Sequence, residues 1–262
     1  MILTDTVEVI AEELFTAEAK IQEIDTFIHR YPELDAALAY KVQERLIEMK
    51  CERQKTHVRG HKLGLTSVAK QKMMGVHEPL YGVLLNDMEL DQQEPISLQP
   101  FIHAKIEPEI AFVFERDIKG PISVPEVLAA TAYVIPAFEI IDSRYRNFKF
   151  TLPDVIADNA SSSRFILGDR IRKTDGLDLK VTGTVFKKNG QVIATGTGAS
   201  VMGHPARAVA WMVNKLAARA QYVKAGEVVL SGALTEAFRI EENDVFSVGF
   251  DGLGVVQAIF TT

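Results

Sequence analysis

A single cysteine, Cys51, in 262 residues leaves no intrachain disulfide to be made. The fold must therefore be held by packing, and the composition suits a reducing compartment. No run approaches the ~20 consecutive apolar residues that a membrane-spanning helix requires. Cations are outnumbered: 29 Lys and Arg stand against 35 Asp and Glu, a net charge of −6. That balance is the reverse of the basic surface that a phosphate backbone selects. The chain opens with acidic residues and lacks a basic segment followed by a small-residue cleavage site, so secretion is not expected. The sequon Asn159-Ala160-Ser161 is then a chance match. What remains, 47% hydrophobic and 24% charged residues, is an ordinary globular composition. The expectation is a cytoplasmic protein with neither a nucleic acid nor a membrane as partner.

From Thr4 to about His29, Val7, Ile10, Ala11, Leu14, Ala17 and Ile21 recur at helical spacing with acids between them, which predicts an amphipathic helix. Leu34, Leu38, Val42, Leu46 and Met49 predict a second from Leu34 to Lys50. Residues 1–57 thus read as a helical N-terminal region and 58–262 as a β-rich catalytic domain. Beyond Arg59 the texture changes to short apolar runs broken by Gly, Pro and Asp. Strands are expected at 59–63, 104–114, 132–141, 163–167, 179–187, 191–198, 228–231, 245–250 and 254–260. Asn189-Gly190 marks a hairpin, since both residues tolerate the positive φ of a type I′ turn. Helices are expected at 68–74, 124–130 and 205–220, the last with Pro205 in its first turn. Regular strand–helix–strand alternation is missing, so the fold class is α+β with a mixed, mainly antiparallel core.

Lys105-Ile106-Glu107-Pro108-Glu109-Ile110 is the most informative stretch. On a strand, Glu107 and Glu109 project to one face while Ile106, Pro108 and Ile110 take the other. Pro108 gives no ladder hydrogen bond, which predicts an edge or a bulge there. Glu139 lies inside a second apolar strand, Ile135 to Ile141. Two acids on a strand are commonly just solvated, but Glu139 is flanked by residues that seek burial. Two carboxylates ~7 Å apart repel by about 2 kcal/mol at an effective dielectric of 20. A hard divalent cation reverses the sign, and an all-oxygen set suits Mg²⁺ or Mn²⁺ rather than Zn²⁺.

Lys62 stands between Gly60 and Gly64 at a strand end, ahead of a helix that Thr66 or Ser67 can cap. This is either a turn carrying a surface lysine or a cation held close to a ligand, and the spacing is not that of a phosphate-binding loop. The run from Val155 to Ser163, polar from Asp158 onward, reads as a loop able to offer hydroxyls or backbone N–H groups to a carboxylate, or as a plain turn. The six histidines are scattered; His57 and His61 stand four apart, but in chain not expected to be helical, so no zinc site is expected there, and Cys51 reads as a packing residue.

These segments together resemble the 2-hydroxypentadienoate hydratase and 4-oxalocrotonate decarboxylase family of the fumarylacetoacetate hydrolase-like superfamily. The likeness runs from the helical N-terminus through Gly60–Ser67, Gly75–Leu84, Lys105–Phe114, Val134–Phe150, Ala157–Ser162 and Gly203–Pro205 to Leu230–Phe238. It implies the superfamily's mixed β core and a divalent metal, Mg²⁺ or Mn²⁺, on Glu107, Glu109 and Glu139. It also implies a functional lysine at Lys62 and a ligand-binding loop from Asp158 to Ser161.

Within the family, hydratases carry an aspartate where this chain has Leu80. Adding water needs a group that moves protons, and a carboxylate serves. Leucine does not. Decarboxylation gains instead from a dry site, where the departing carboxylate is poorly solvated. The expectation is metal-dependent decarboxylation of 4-oxalocrotonate, with Leu80 and Tyr81 excluding water and Asp158 and Ser161 holding a carboxylate end of a 2-oxo dicarboxylic acid. Glu78 is a candidate proton shuttle. The nearest alternative is the hydratase; a superfamily hydrolase and a silent binding subunit are further ones. The resemblance also implies a homo-oligomer and an associated hydratase.

Overall fold

The computed structural model describes residues 2–262, so Met1, the first residue of the expected helical region, lies outside the described residues. Helices α1 (Ile2–Ala19) and α2 (Ala36–Gln54) come first. Asp35 starts α2 by accepting a hydrogen bond from the Leu38 N–H at 2.8 Å, which satisfies a donor that has no partner within the helix. The helix expected to reach about His29 stops at Ala19: Ile21 takes a φ of 54°, and the Gln22 N–H donates back to the Ala17 carbonyl. A left-handed residue of this kind ends a helix.

Then follow β1 (Val58–Gly64), α3 (Val68–Met74), β2 (Leu80–Leu85), β3 (Glu89–Leu90), β4 (Ile96–Ser97), β5 (Lys105–Phe114), α4 (Val124–Ala130) and β6 (Thr131–Ile141). The remainder is α5 (Leu152–Ala157), β7 (Ser162–Leu167), β8 (Gly183–Lys188), β9 (Gln191–Thr197), α6 (Pro205–Ala217), β10 (Val228–Leu230), β11 (Phe238–Arg239), β12 (Val245–Phe250) and β13 (Gly254–Thr261). The expected α+β architecture holds. Asn189 and Gly190 turn the β8–β9 hairpin with φ of 52° and 79°, the two positive values that a type I′ turn needs.

One sheet runs β2-β1-β10-β5-β6-β7-β3, with β11 also paired to β5; the other runs β4-β13-β12-β8-β9. Most neighbours are antiparallel, while β1/β10, β3/β7 and β4/β13 are parallel. Strands β2 and β7 stand far apart in the order yet touch, so the larger sheet curls and one face becomes concave. Its other face packs on the second sheet and α6: Ile106, Ile110, Phe112, Phe138 and Ile140 meet Phe186, Phe246, Val248, Phe260 and Val213. A separate apolar cluster joins Leu14, Leu38, Val42 and Leu46 of the two N-terminal helices to Leu80, Tyr145, Ala157 and Ala160. The helices therefore brace the segments beside the concave face.

Three expectations need correcting. Strand β5 is central, not an edge, and its register shift falls at Val113/Phe114 rather than at Pro108. Pro108 is tolerated because its nitrogen faces the gap between β10, paired at 111–113, and β11, paired at 105–106. The run from Val155 to Ser163 is only in part the expected loop or turn: it contains the end of α5, a tight turn at Asn159–Ser161 and the start of β7, and it is mostly buried. Residues 80–85, given no element from sequence, form β2.

Candidate active site

Strands β5 and β6 are antiparallel with Glu107 opposite Glu139 and Glu109 opposite Ala137. Strand alternation puts all three carboxylates on the concave face. Each offers an oxygen lying within 4.8 Å of those of the other two, and all three side chains are buried. The cost is visible in their titration. Burial, then Glu139 and Glu107, push Glu109 well above the usual carboxylate range. Burial pushes Glu139 up to about 7, against the pull of Lys62.

Two lysines offset part of this charge. Lys62 Nζ lies 3.0 Å from Glu139 Oε2 and donates to the Ala160 carbonyl at 3.1 Å. Lys70 Nζ, from α3, donates to Glu107 Oε2 at 3.1 Å. Burial opposes the charge on Lys70, but Glu107 with Glu109 and Glu139 outweighs it and raises its pKa. Ser162 Oγ donates to Glu139 Oε1 at 3.3 Å, and the Gly232 N–H donates to Glu109 Oε2 at 2.6 Å. Gly232 has a φ of 106°, and a Cβ there would lie 2.3 Å from Thr66 Oγ1, so only glycine brings that N–H to the carboxylate. Glu109 Oε1 and Glu139 Oε2 still accept no hydrogen bond of good geometry.

Above these acids is a cavity of about 650 Å³. Lys62, Lys70 and Glu107 line its floor, Leu65, Leu80, Phe148 and Phe150 its apolar walls, and Ala160 and Ser161 another side. A Cβ on Gly64 would sit 2.8 Å from Leu80 Cδ1 and 3.8 Å from Lys62 Nζ; the missing side chain lets Leu80 lie next to the lysine.

The turn after α5 is tightly held. Asn159, Ala160 and Ser161 have φ of 48°, 56° and 56°, a left-handed run that L residues avoid at roughly 1–2 kcal/mol each. Asn159 locks it, accepting from the Val83 N–H and donating to the Val83 carbonyl, both at 2.8 Å. Ser161 Oγ is left buried without a partner at the cavity.

Of the residues singled out from sequence, Lys62, Glu107, Glu109, Glu139, Leu80 and Ser161 come together here. Tyr81 and Asp158 do not. Neighbours on a strand face opposite sides, and Tyr81 stacks on Tyr40 with centroids 4.5 Å apart, beside a different cleft. Asp158 is buried in an ion pair with Arg144. Glu78 is exposed and pairs with Lys215 at 2.6 Å, away from the cavity. Sequence reasoning missed Lys70, Lys105 and Lys149. Lys105 carried a signal, because it shares the face of Glu107 by the same two-residue spacing.

The donor set fits a divalent cation. Three buried carboxylates converge, and Glu109 Oε1 among them accepts no hydrogen bond; oxygen-only ligation matches Mg²⁺ or Mn²⁺.

The family defined as fumarylacetoacetate (FAA) hydrolase C-terminal matches residues 55–261, and the chain belongs to it. It is 42% identical to a 4-oxalocrotonate decarboxylase of Pseudomonas sp. (strain CF600), covering 98% of this chain and 97% of that one. It is 38% identical to a 2-oxo-hept-4-ene-1,7-dioate hydratase of Escherichia coli, over 96% of each chain. Its structure superposes with a TM-score of 0.94 on 4-oxalocrotonate decarboxylase from Pseudomonas putida G7 complexed with magnesium and adipate, at 40% identity and 98% coverage of both chains.

Proposed function

We propose that this protein decarboxylates 4-oxalocrotonate, giving 2-hydroxypenta-2,4-dienoate and CO₂, with a divalent cation held by Glu107, Glu109 and Glu139. The observation that carries this reading is the meeting of three buried glutamates with Leu80 beside Lys62 at one cavity. The similarity to decarboxylases over nearly the whole chain supports it.

A bound Mg²⁺ or Mn²⁺ supplies Lewis acidity at the 2-oxo group, an effect worth several kcal/mol of barrier. The chain does the rest. When the bond to the distal carboxylate breaks, its electron pair moves through the conjugated chain to the 2-oxo oxygen, which takes up one proton. Lys62, held by Glu139 and Ala160, places positive charge where that oxygen gains electrons and is the proton's donor. Ser161 Oγ, with no hydrogen-bond partner among the described residues, orients a substrate oxygen. Leu80, Phe148 and Phe150 keep the wall apolar, so water is kept from adding to the diene. With Glu78 turned to Lys215, no carboxylate among the described residues lines the cavity beside Leu80 to activate water.

The test is to supply 4-oxalocrotonate with Mg²⁺ and follow CO₂, and separately to supply 2-hydroxypenta-2,4-dienoate. CO₂ release without hydration is the expected result; hydration without CO₂ release would assign the chain to the hydratase branch. The same reading carries a cytoplasmic homo-oligomer, with a hydratase as the partner that consumes the product.

A further inference from the structure

We propose that Lys105 and Lys149, at the outer end of the cavity, recognise the distal carboxylate of a dicarboxylic substrate; the inference rests on the reading above. The cavity is lined by four lysines that fall into two pairs. The inner pair, Lys62 and Lys70, is committed to Glu139 and Glu107. Lys105 and Lys149 have no acidic partner among the described residues. The acid lining this end of the cavity, Glu236, is exposed and forms no ion pair with either.

Lys105 is also placed rather than free. It precedes Glu107 by two residues on β5, so it shares the concave face and stands about 7 Å further along it. Its Nζ lies 3.9 Å from the centroid of the Phe148 ring, a contact that holds an ammonium while leaving its N–H donors available to an anion. Extended, a six-carbon diacid separates its carboxyl carbons by about 6 Å, from ~1.5 Å bonds. One end at the glutamates therefore puts the other within reach of Lys105. Lys149, adjacent to Phe148 and more exposed, closes the outer side.

Charge gives the same answer. Lys62, Lys70, Lys105 and Lys149 balance Glu107, Glu109, Glu139 and Glu236. A divalent cation then leaves two positive charges in excess, which is the charge of a diacid dianion and one more than a monoacid supplies. A half-buried cation without a partner is an unfavourable element of the free protein. A substrate carboxylate removes that penalty.

The test is calorimetric and needs no turnover. In the presence of Mg²⁺, the protein is titrated with 2-oxohexanedioate and with 2-oxohexanoate, which differ only at the far end. The wild type should bind the diacid at least about tenfold more tightly, as expected for a carboxylate meeting positioned cations. Lys105→Met should bring the diacid down to the affinity of the monoacid and leave the monoacid as it was. Lys105→Arg should retain most of the preference, and Lys149→Met should lose a smaller part of it. In turnover, Lys105→Met should show its loss in KM more than in kcat.

Equal affinities in the wild type, or equal weakening of both acids by Lys105→Met, would overturn the assignment, as would binding of neither acid. A preference for the diacid that depends on Lys105, in a protein that releases no CO₂ from 4-oxalocrotonate, would uphold this site and refute the proposed reaction. CO₂ release without that preference would do the opposite.

Discussion

Two buried groups of charges lie near each other in this molecule, and they are partnered in opposite ways. Around Arg144 every charge is matched. Its Nε donates to Asp158 Oδ1, its Nη2 to the Asp158 carbonyl at 2.8 Å and its backbone N–H to Asp158 Oδ2 at 3.2 Å. Glu18 approaches its other nitrogen at 3.9 Å and pairs with Lys50 at 2.5 Å. Two bases face two acids, tying α1 and α2 to the turn before β7, and a third acid nearby, Asp142, accepts from the Ile102 and His103 N–H groups at 2.8 and 2.7 Å. Burial works against the charge on Arg144, but Asp158, Glu18 and Asp142 outweigh it and hold its pKa above the ordinary value. At the cavity floor three glutamates face two lysines; Glu109 Oε1 accepts no hydrogen bond, and Glu139 Oε2 has only its ion-pair contact with Lys62. A saturated buried network fixes geometry, whereas an undersatisfied one keeps attraction in reserve for a ligand. The first holds the second in place through Ala160, whose carbonyl accepts from Lys62.

If the contrast is right, damage to the two clusters separates activity from stability. Glu107→Gln should lower metal-dependent turnover by 10²–10³-fold or more, the scale of losing a main electrostatic contact. The melting temperature of the metal-free protein should stay level or rise, because a repulsion is relieved. Steady-state assays with calorimetric melting check both. Arg144→Met should do the reverse, costing about 3–5 kcal/mol of stability by leaving Asp158 buried and unpaired, as read from urea unfolding. Equal melting losses in the two variants would dissolve the distinction.

His61 sharpens it from a third position. It precedes Lys62 on β1 and so faces the other way, buried, with Nδ1 unpartnered. Burial lowers its pKa to about 4 from 6.5. The unfolded chain therefore binds a proton between those values that the folded chain refuses. The associated stability is complete above about pH 6.5 and is lost as pH falls toward 4. Between pH 7.5 and 4.5 the wild type should lose roughly 2–3 kcal/mol more than His61→Gln, measured by unfolding at each pH. The smallest effect is expected at the wall: Leu80→Asp should slow CO₂ release by about tenfold, near 1.4 kcal/mol of barrier, by admitting water beside Lys62.

Much of this site can be read along the chain where one periodicity controls it. Glu107 and Glu109 share a face because strands alternate, and Glu139 stands out because an acid amid Phe138, Ile140 and Ile141 needs a reason to be buried. Lys62 was marked by the glycines on either side. Tyr81 was misplaced because residues 80–85 were not recognised as a strand, and alternation on a strand puts Leu80 and Tyr81 on opposite faces. Asp158 looked like a ligand because its true partner, Arg144, is set by a tertiary turn that neither residue announces. The left-handed run Asn159–Ser161 is invisible in composition, since none of the three is glycine and tertiary bonds to Val83 enforce it. Lys70 reaches Glu107 only once α3 lies over the cavity. The helices at 68–74 and 124–130 matched their expected ends because Ser67 and Ser123 precede them as caps.

The central claim is that Glu107, Glu109 and Glu139 jointly bind one divalent cation, and titration of the metal-free protein with Mn²⁺ by calorimetry, in buffers of differing ionisation enthalpy, addresses it most directly. Since Glu109 and Glu139 titrate above the usual carboxylate range, the account predicts one ion per chain, proton release on binding, affinity that rises with pH through about 7, and loss of the site in Glu139→Gln. Binding that releases no protons, or that persists unchanged in Glu139→Gln, would contradict it.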